Sequence, residues 1–354
     1  MKKQFILLVA LLCTQAFLSA QILPSKQSDY SGYYKLCNEA LTAKVNGDSL
    51  LSIDLYEKAC ELYYPFIDDL YELKECYKKT GNINKVSDVW KRMIITGFTK
   101  YEQSYFIDEV GQSRTEKEWI PKDERQIFEA LNYDSLHQVF LQNNFSPKNK
   151  YLEAIVICDR FCHQLRTYYS EHPDIFDSSF RYLFPLCEYS DNVIWYFMGN
   201  ASMKINGHLF VNLIRSEYLP SRKETIWWEN EEFYVALLHG AIDLPYNEKD
   251  TFLSAMRQFV DFGYISPSDY ATLYDHITRD KWGYGGYYGT AVAPELPPSD
   301  TSDPEKPMRY YHQFTMAEPY DIKNIDKLRV EIHLPPLWVS AKQLNRKLPE
   351  KYKP

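Results

Sequence analysis

Residues 36–58 read LCNEALTAKVNGDSLLSIDLYEK, and residues 70–92 read LYELKECYKKTGNINKVSDVWKR. Set side by side, the second stretch answers the first at a spacing of 34 residues: Leu36, Gly47, Asp48, Tyr56 and Lys58 meet Leu70, Gly81, Asn82, Trp90 and Arg92. In each copy an apolar helical period is broken by glycine and a short polar residue, and then resumes. A glycine tolerates the left-handed backbone that ends a helix, and Asp or Asn caps the next one. The spacing therefore predicts helix pairs over 30–44 with 49–64, and over 66–80 with 83–95. Pro65 closes the second of these helices.

Outside the echo, charge and cysteines narrow the possibilities. The chain has 354 residues and a formal charge of -8, with no basic block. An acidic chain without a basic stripe is a poor nucleic-acid binder, so no nucleic-acid partner is expected. At the start, Lys2 and Lys3 precede an apolar run over 5–12, and Leu18-Ser19-Ala20 supplies small residues for cleavage. This is the grammar of a secretory signal peptide over 1–20, cleaved near Ala20. Cys13 does not read as a lipidation site, because Leu12 stands where a small residue belongs. No later apolar run reaches the roughly 18 residues of a spanning helix, so no transmembrane segment is expected. The mature chain should be exported, to the periplasm or beyond. There, Cys60 and Cys76 are the pair to consider for a disulfide, and the other thiols read as buried packing.

Further along, residues 99–130 read as a linker and 131–345 as a larger helical domain. Apolar spacing predicts helices over 149–170, 191–206, 231–241, 250–262 and 267–280, the last opened by Ser266 and Pro267. Residues 295–307 are rich in proline, serine and acids and read as a loop. No alternating segments suggest a sheet. The fold class expected is all-α.

The 34-residue period, the turn glycines and the small Ala59 resemble the tetratricopeptide repeat over 30–98. The resemblance implies that Tyr56 and Trp90 fill the groove between paired helices and that the array presents a concave face to a protein or peptide partner. Two repeats cannot bury a continuous core alone, so the rest of the chain must cap them. The second half carries another likeness. The run Gly263-Tyr-Ile-Ser-Pro-Ser-Asp-Tyr-Ala-Thr-Leu-Tyr-Asp275 leads to Tyr288-Gly289-Thr290, then to Asn324-Ile-Asp326-Lys-Leu-Arg329. Over about 155–344 this is similar to a bacterial helical domain of unknown function, with departures at Leu238, His276, Ala291 and Leu328. That family implies an architecture and no activity.

Chemistry is sparse. H-E-x-x-H, G-x-S-x-G and the phosphate-binding G-x-x-x-x-G-K-[ST] are absent. His239, Asp275 and Arg329 are the candidate catalytic groups by motif position, with His239 as base, against the reading of His239 as a core residue on an apolar helix flank. Cys158, Cys162 and His163 invite a metal, but His163 points about 100° away from Cys162 on a helix, and no fourth ligand is in view. No metal or cofactor is expected. The run Trp282-Gly-Tyr-Gly-Gly-Tyr-Tyr-Gly289 is the oddest stretch. Tyr287, Tyr288, Gly289 and Thr290 read either as a ligand loop or as a rigid plug of the domain core. The expected role is binding or assembly in the bacterial cell envelope, with hydrolase or transferase chemistry in the C-terminal domain as the alternative.

Overall fold

The structure is a computed structural model that describes residues 29–98, 120–143, 241, 246–283, 286–290, 292–294 and 314–354. The chain forms two compact units. One comprises 1–27, 146–224 and 231–255; the other comprises 28–145, 225–230 and 256–354. Almost all described residues belong to the second unit, which joins the first helices to the C-terminal elements.

The fold is helical. The described helices are α1 (Ser31–Val45), α2 (Ser49–Leu62), α3 (Ile67–Lys79), α4 (Ile83–Thr96), α5 (Arg125–Glu129), α6 (Tyr133–Asn143), α7 (Tyr246–Asp261), α8 (Pro267–Ile277), α9 (Arg279–Trp282), α10 (Ile325–Glu331) and α11 (Leu337–Gln343). Beside the helices, β1 (Val292–Pro294) and β2 (Phe314–Met316) pair antiparallel, with Ala293 opposite Thr315. Three residues per strand make a ribbon and no layer, so the architecture stays all-α.

The echo has a concrete geometry. After α1, Gly47 N–H donates to Lys44 O and Asp48 N–H to Ala43 O; after α3, Gly81 N–H donates to Lys78 O and Asn82 N–H to Tyr77 O. Both are the same helix-ending motif, with glycine at positive φ, +91° and +74°. The next residue then turns outward to cap the following helix: Leu51 N–H donates to the Asp48 carboxylate, and Lys85 N–H to the Asn82 side chain. Paired helices α1–α2 and α3–α4 pack on each other. Tyr56 and Trp90 are both fully buried. The outermost echo pair diverges, because Lys58 lies exposed beside Asp54 while Arg92 reaches Glu57.

Part of the expected linker packs on α3 and α4. Glu124, 1% exposed, accepts from Lys74 Nζ at 2.7 and 2.9 Å, from Lys78 Nζ at 2.9 Å and from Trp90 Nε1 at 2.7 Å. Lys74 is itself fully buried, and Phe128 sets its ring edge-on to Trp90. Burial opposes the charge on Glu124, but the hydrogen bonds from Lys74 and Lys78 outweigh it and hold the carboxyl below its ordinary range.

The other side of α1 is covered by the end of the chain. Tyr30 N–H donates to Asp261 O at 2.9 Å, Tyr34 Oη to Val260 O at 2.9 Å, and Asn38 Nδ2 to His333 O at 2.7 Å. Gly263 ends α7 at φ +75° beneath the Tyr30 ring, where an added Cβ would lie 2.6 Å from ring carbons. A small core of Met316, Ile325, Leu337, Ala341 and Tyr352 ties β2 to α10, α11 and the C-terminus.

Candidate functional site

Of the sequence candidates, Asp275 and Arg329 are described and His239 lies outside the described residues. Asp275 ends up 5% exposed near the end of α8. Its Oδ1 accepts from the backbone N–H groups of Tyr287 at 2.6 Å and Tyr288 at 2.8 Å. Its Oδ2 accepts from Thr290 N–H at 2.9 Å and Thr290 Oγ1 at 2.8 Å. Burial raises its carboxyl above the ordinary value despite these donors.

Arg329, 2% exposed on α10, meets the same loop from the other side. Nη1 donates to Tyr288 O at 2.8 Å, Nε to Pro335 O at 2.8 Å and Nη2 to Ser340 Oγ at 2.5 Å. Burial pushes the guanidinium down to about 10. The two candidates therefore meet through one residue: Asp275 holds the N–H of Tyr288 and Arg329 holds its C=O. They act as a clamp on the loop, and their polar atoms are occupied by it.

The glycines of the loop follow from that clamp. Gly286 has φ +72°, and a Cβ there would sit 2.3 Å from Asp275 Cγ. Gly289 has φ +69°, and a Cβ added there would lie 3.3 Å from Pro319 Cγ. Tyr288 is buried, with its ring 5.0 Å from that of Tyr274 and 6.2 Å from that of Tyr270. Tyr287 stacks obliquely between Tyr274 and Trp282. These tyrosines plug the packing around α8, and the glycines let the backbone close onto Asp275.

Beside this clamp lies a half-open cavity of about 440 Å³, a volume in the range of small-ligand sites. One wall is α1 and α3, with Tyr34, Asn38, Asp68, Asp69 and Glu72; the other is built from Ser266, Thr272, Gly289, Thr290, Arg329 and Ser340 among others. Gly289 and Thr290 thus border the cavity, whereas Tyr287 and Tyr288 do not line it. Sequence reasoning missed Asp68. Its only signal was a pair of acids in the first turn of a helix, which ordinarily means favourable placement at the positive end of the helix dipole.

Three carboxyls project from α3 here, and two are engaged. Asp69 accepts from Tyr33 Oη at 2.6 Å; Glu72 pairs with Lys44 and accepts from Gln343 Nε2 at 3.1 Å. Asp68 makes no hydrogen bond with the described residues. It is exposed at the cavity wall. The protein around it and the negative charges of Asp269, Asp69 and Glu72 raise its carboxyl, and its exposure to water limits that rise.

Cys60 and Cys76 are free thiols, as is Cys37. Cys76 Sγ lies 3.3 Å from Ser52 Oγ, and burial pushes the Cys60 thiol up to about 12. No group of three or more His, Cys, Asp or Glu side chains among the described residues is arranged to hold a metal ion. Cys158, Cys162 and His163 lie outside the described residues. Among the described residues, no helix is long and apolar enough to cross a membrane. Comparison with protein-family models, with curated proteins and with solved structures finds no match to this chain.

Proposed function

We propose that this chain is an exported protein of the bacterial cell envelope with a binding or assembly role, and that its partner enters the cavity between the first helices and the C-terminal elements. The observation that carries the reading is the cavity itself, walled by α1 and α3 on one side and by Gly289, Thr290 and Arg329 among others on the other. A preformed concavity with a few polar groups turned into it is the usual form of a binding site. The tetratricopeptide-like period supports a protein or peptide partner, although the α1 side of the helix pairs is covered by the chain's own C-terminal elements rather than standing open. Export rests on Lys2, Lys3, the apolar run over 5–12 and Leu18-Ser19-Ala20.

Hydrolase or transferase chemistry through Asp275 and Arg329 has less support. A general base needs a free lone pair within reach of its proton, and both oxygens of Asp275 already accept two hydrogen bonds each.

The test uses the tagged full-length chain expressed in its host. Sequencing the mature N-terminus should find Gln21 or a neighbour; retention of Met1 removes the export reading. Thr272 is exposed at the cavity wall, so Thr272→Trp should fill the space without disturbing the core. Material retained by the wild type and lost from the variant, at unchanged melting temperature, supports the cavity as the site. Equal retention by both overturns it.

A further inference from the structure

We infer that the cavity receives a carboxylate joined to an apolar group, the C-terminal end of a peptide or a free aliphatic acid, and that Arg329 anchors it with Ser340 beside it. The inference rests on the cavity being the binding site and adds the chemical class of what enters it.

Arg329 is 2% exposed and lines the cavity. A guanidinium carries five N–H groups in a fixed fork and keeps its charge. Three of the five are used, one from each nitrogen, on Pro335 O, Tyr288 O and Ser340 Oγ. One N–H on Nη1 and one on Nη2 therefore have no acceptor among the described residues. The charge has no partner there either, because all three acceptors are neutral. The acids that act on it at longer range are engaged elsewhere: Asp326 accepts from Leu337 N–H and Tyr352 Oη, and Asp275 accepts from the loop. Ser340 Oγ accepts from Arg329, and no described residue takes its own hydroxyl proton.

A buried cation without a counter-charge is costly, and an anion arriving in the cavity would relieve it. Such an anion can accept from the two spare N–H groups and from the Ser340 hydroxyl, all charge-assisted or close to the charge. The rest of the lining narrows its identity. Asp68, Asp69 and Glu72 stand on the α3 wall, so a group with two negative charges is repelled there and a singly charged carboxylate fits better than a phosphate. The basic residues His333 and Arg346 line the cavity from the same C-terminal segment as Arg329, which places the carboxylate on that side. Leu41, Phe66 and Leu334 add apolar wall, suited to an aliphatic chain or to the last side chains of a peptide. A volume of about 440 Å³ admits the end of a chain and excludes a folded surface.

A carboxylate built into the wall should then take the ligand's place. Ser340→Asp gives Nη2 a charged acceptor where the hydroxyl stood and leaves the bonds to Tyr288 and Pro335 intact, so the loop stays closed. It should melt no lower than the wild type, since the guanidinium gains a counter-charge. Arg329 itself is kept, because replacing it would also release Tyr288.

The experiment is isothermal titration of the purified full-length chain with three probes. These are N-acetyl-leucyl-leucine as the free acid, hexanoate, and N-acetyl-leucyl-leucine amide as the neutral control. The first two separate a peptide terminus from a simple aliphatic acid. At least one acid should bind, about tenfold or more tighter than the amide. Ser340→Asp should weaken that binding about tenfold or more and leave the amide's affinity unchanged, and Thr272→Trp should bind no probe. If the amide binds as well as the acids and is still blocked by Thr272→Trp, the cavity is a site but the carboxylate inference is wrong. Failure of both acids to bind also overturns it, as does unchanged acid binding by Ser340→Asp. Acid binding that survives in Thr272→Trp takes place elsewhere on the chain and overturns it too.

Discussion

Gly286 and Gly289 are glycines because of what lies beneath the loop. A methyl group at Gly286 would overlap the Asp275 carboxyl at 2.3 Å in a backbone region that side chains avoid. Gly286→Ala should therefore cost at least about 2 kcal/mol, as strain and as loss of some of the four hydrogen bonds to Asp275. Gly289→Val should cost about 1–3 kcal/mol, since a β-branched residue is forced to positive φ against Pro319. Thermal or urea denaturation of the purified variants checks both. Unchanged stability of Gly286→Ala would mean that the loop does not close on Asp275, and Asp275 would again count as a free acid. Two acids near the same cavity thus meet opposite fates. Asp275 is immobilised by donors from the loop, and Asp68 is exposed at the cavity wall.

Among the elements, α5 and the residues just before it show how a buried ion network can join segments distant in sequence. Glu124 reaches α3 through Lys74 and Lys78 and α4 through Trp90. Glu124→Gln should destabilise the chain by about 1–3 kcal/mol, because it removes the buried carboxylate that accepts two hydrogen bonds from the fully buried Lys74 and leaves it Glu75 alone as counter-charge. The double variant Glu124→Leu with Lys74→Met should recover much of that loss, since the desolvation cost leaves with the pair. Glu124 is held below its ordinary range when folded. Its stabilisation is therefore complete above about pH 4.3 and is lost as the pH falls through the lower folded value. Urea unfolding of wild type and Glu124→Gln across that acid range should show the two curves converging at the acid end. Parallel curves would show that the network carries no ionic stabilisation.

For the whole molecule, the compact unit is discontinuous in sequence. Residues 28–145 are joined with 256–354, and the contacts that seal α1 come from Val260, Asp261 and His333. A fragment covering 30–98 exposes Tyr30 and Tyr34, which are 2% and 3% exposed in the full chain, and lacks Glu124 for Lys74. It should therefore melt without a cooperative transition, measured by circular dichroism at 222 nm. A sharp transition near that of the full chain would show that the helix pairs are self-sufficient, and would revive the picture of an open repeat groove.

The sequence by itself determined the first four helices, the turn inside each pair, and the helices that flank Gly263. The period of 34 residues reported a repeated local motif: glycine in the left-handed region, then a residue that ends one helix and caps the next. Such motifs need only neighbours within a few positions, so they can be read directly. The second-half motif singled out Asp275 and Arg329 and, separately, Tyr288-Gly289-Thr290, but residue type cannot say whether an acid is a catalyst or a latch. That depended on which donors the fold aimed at it. The short ribbon of β1 and β2, the docking of Glu124 and the covering of α1 escaped the sequence for the same reason. Each is a pairing between segments that share no local pattern.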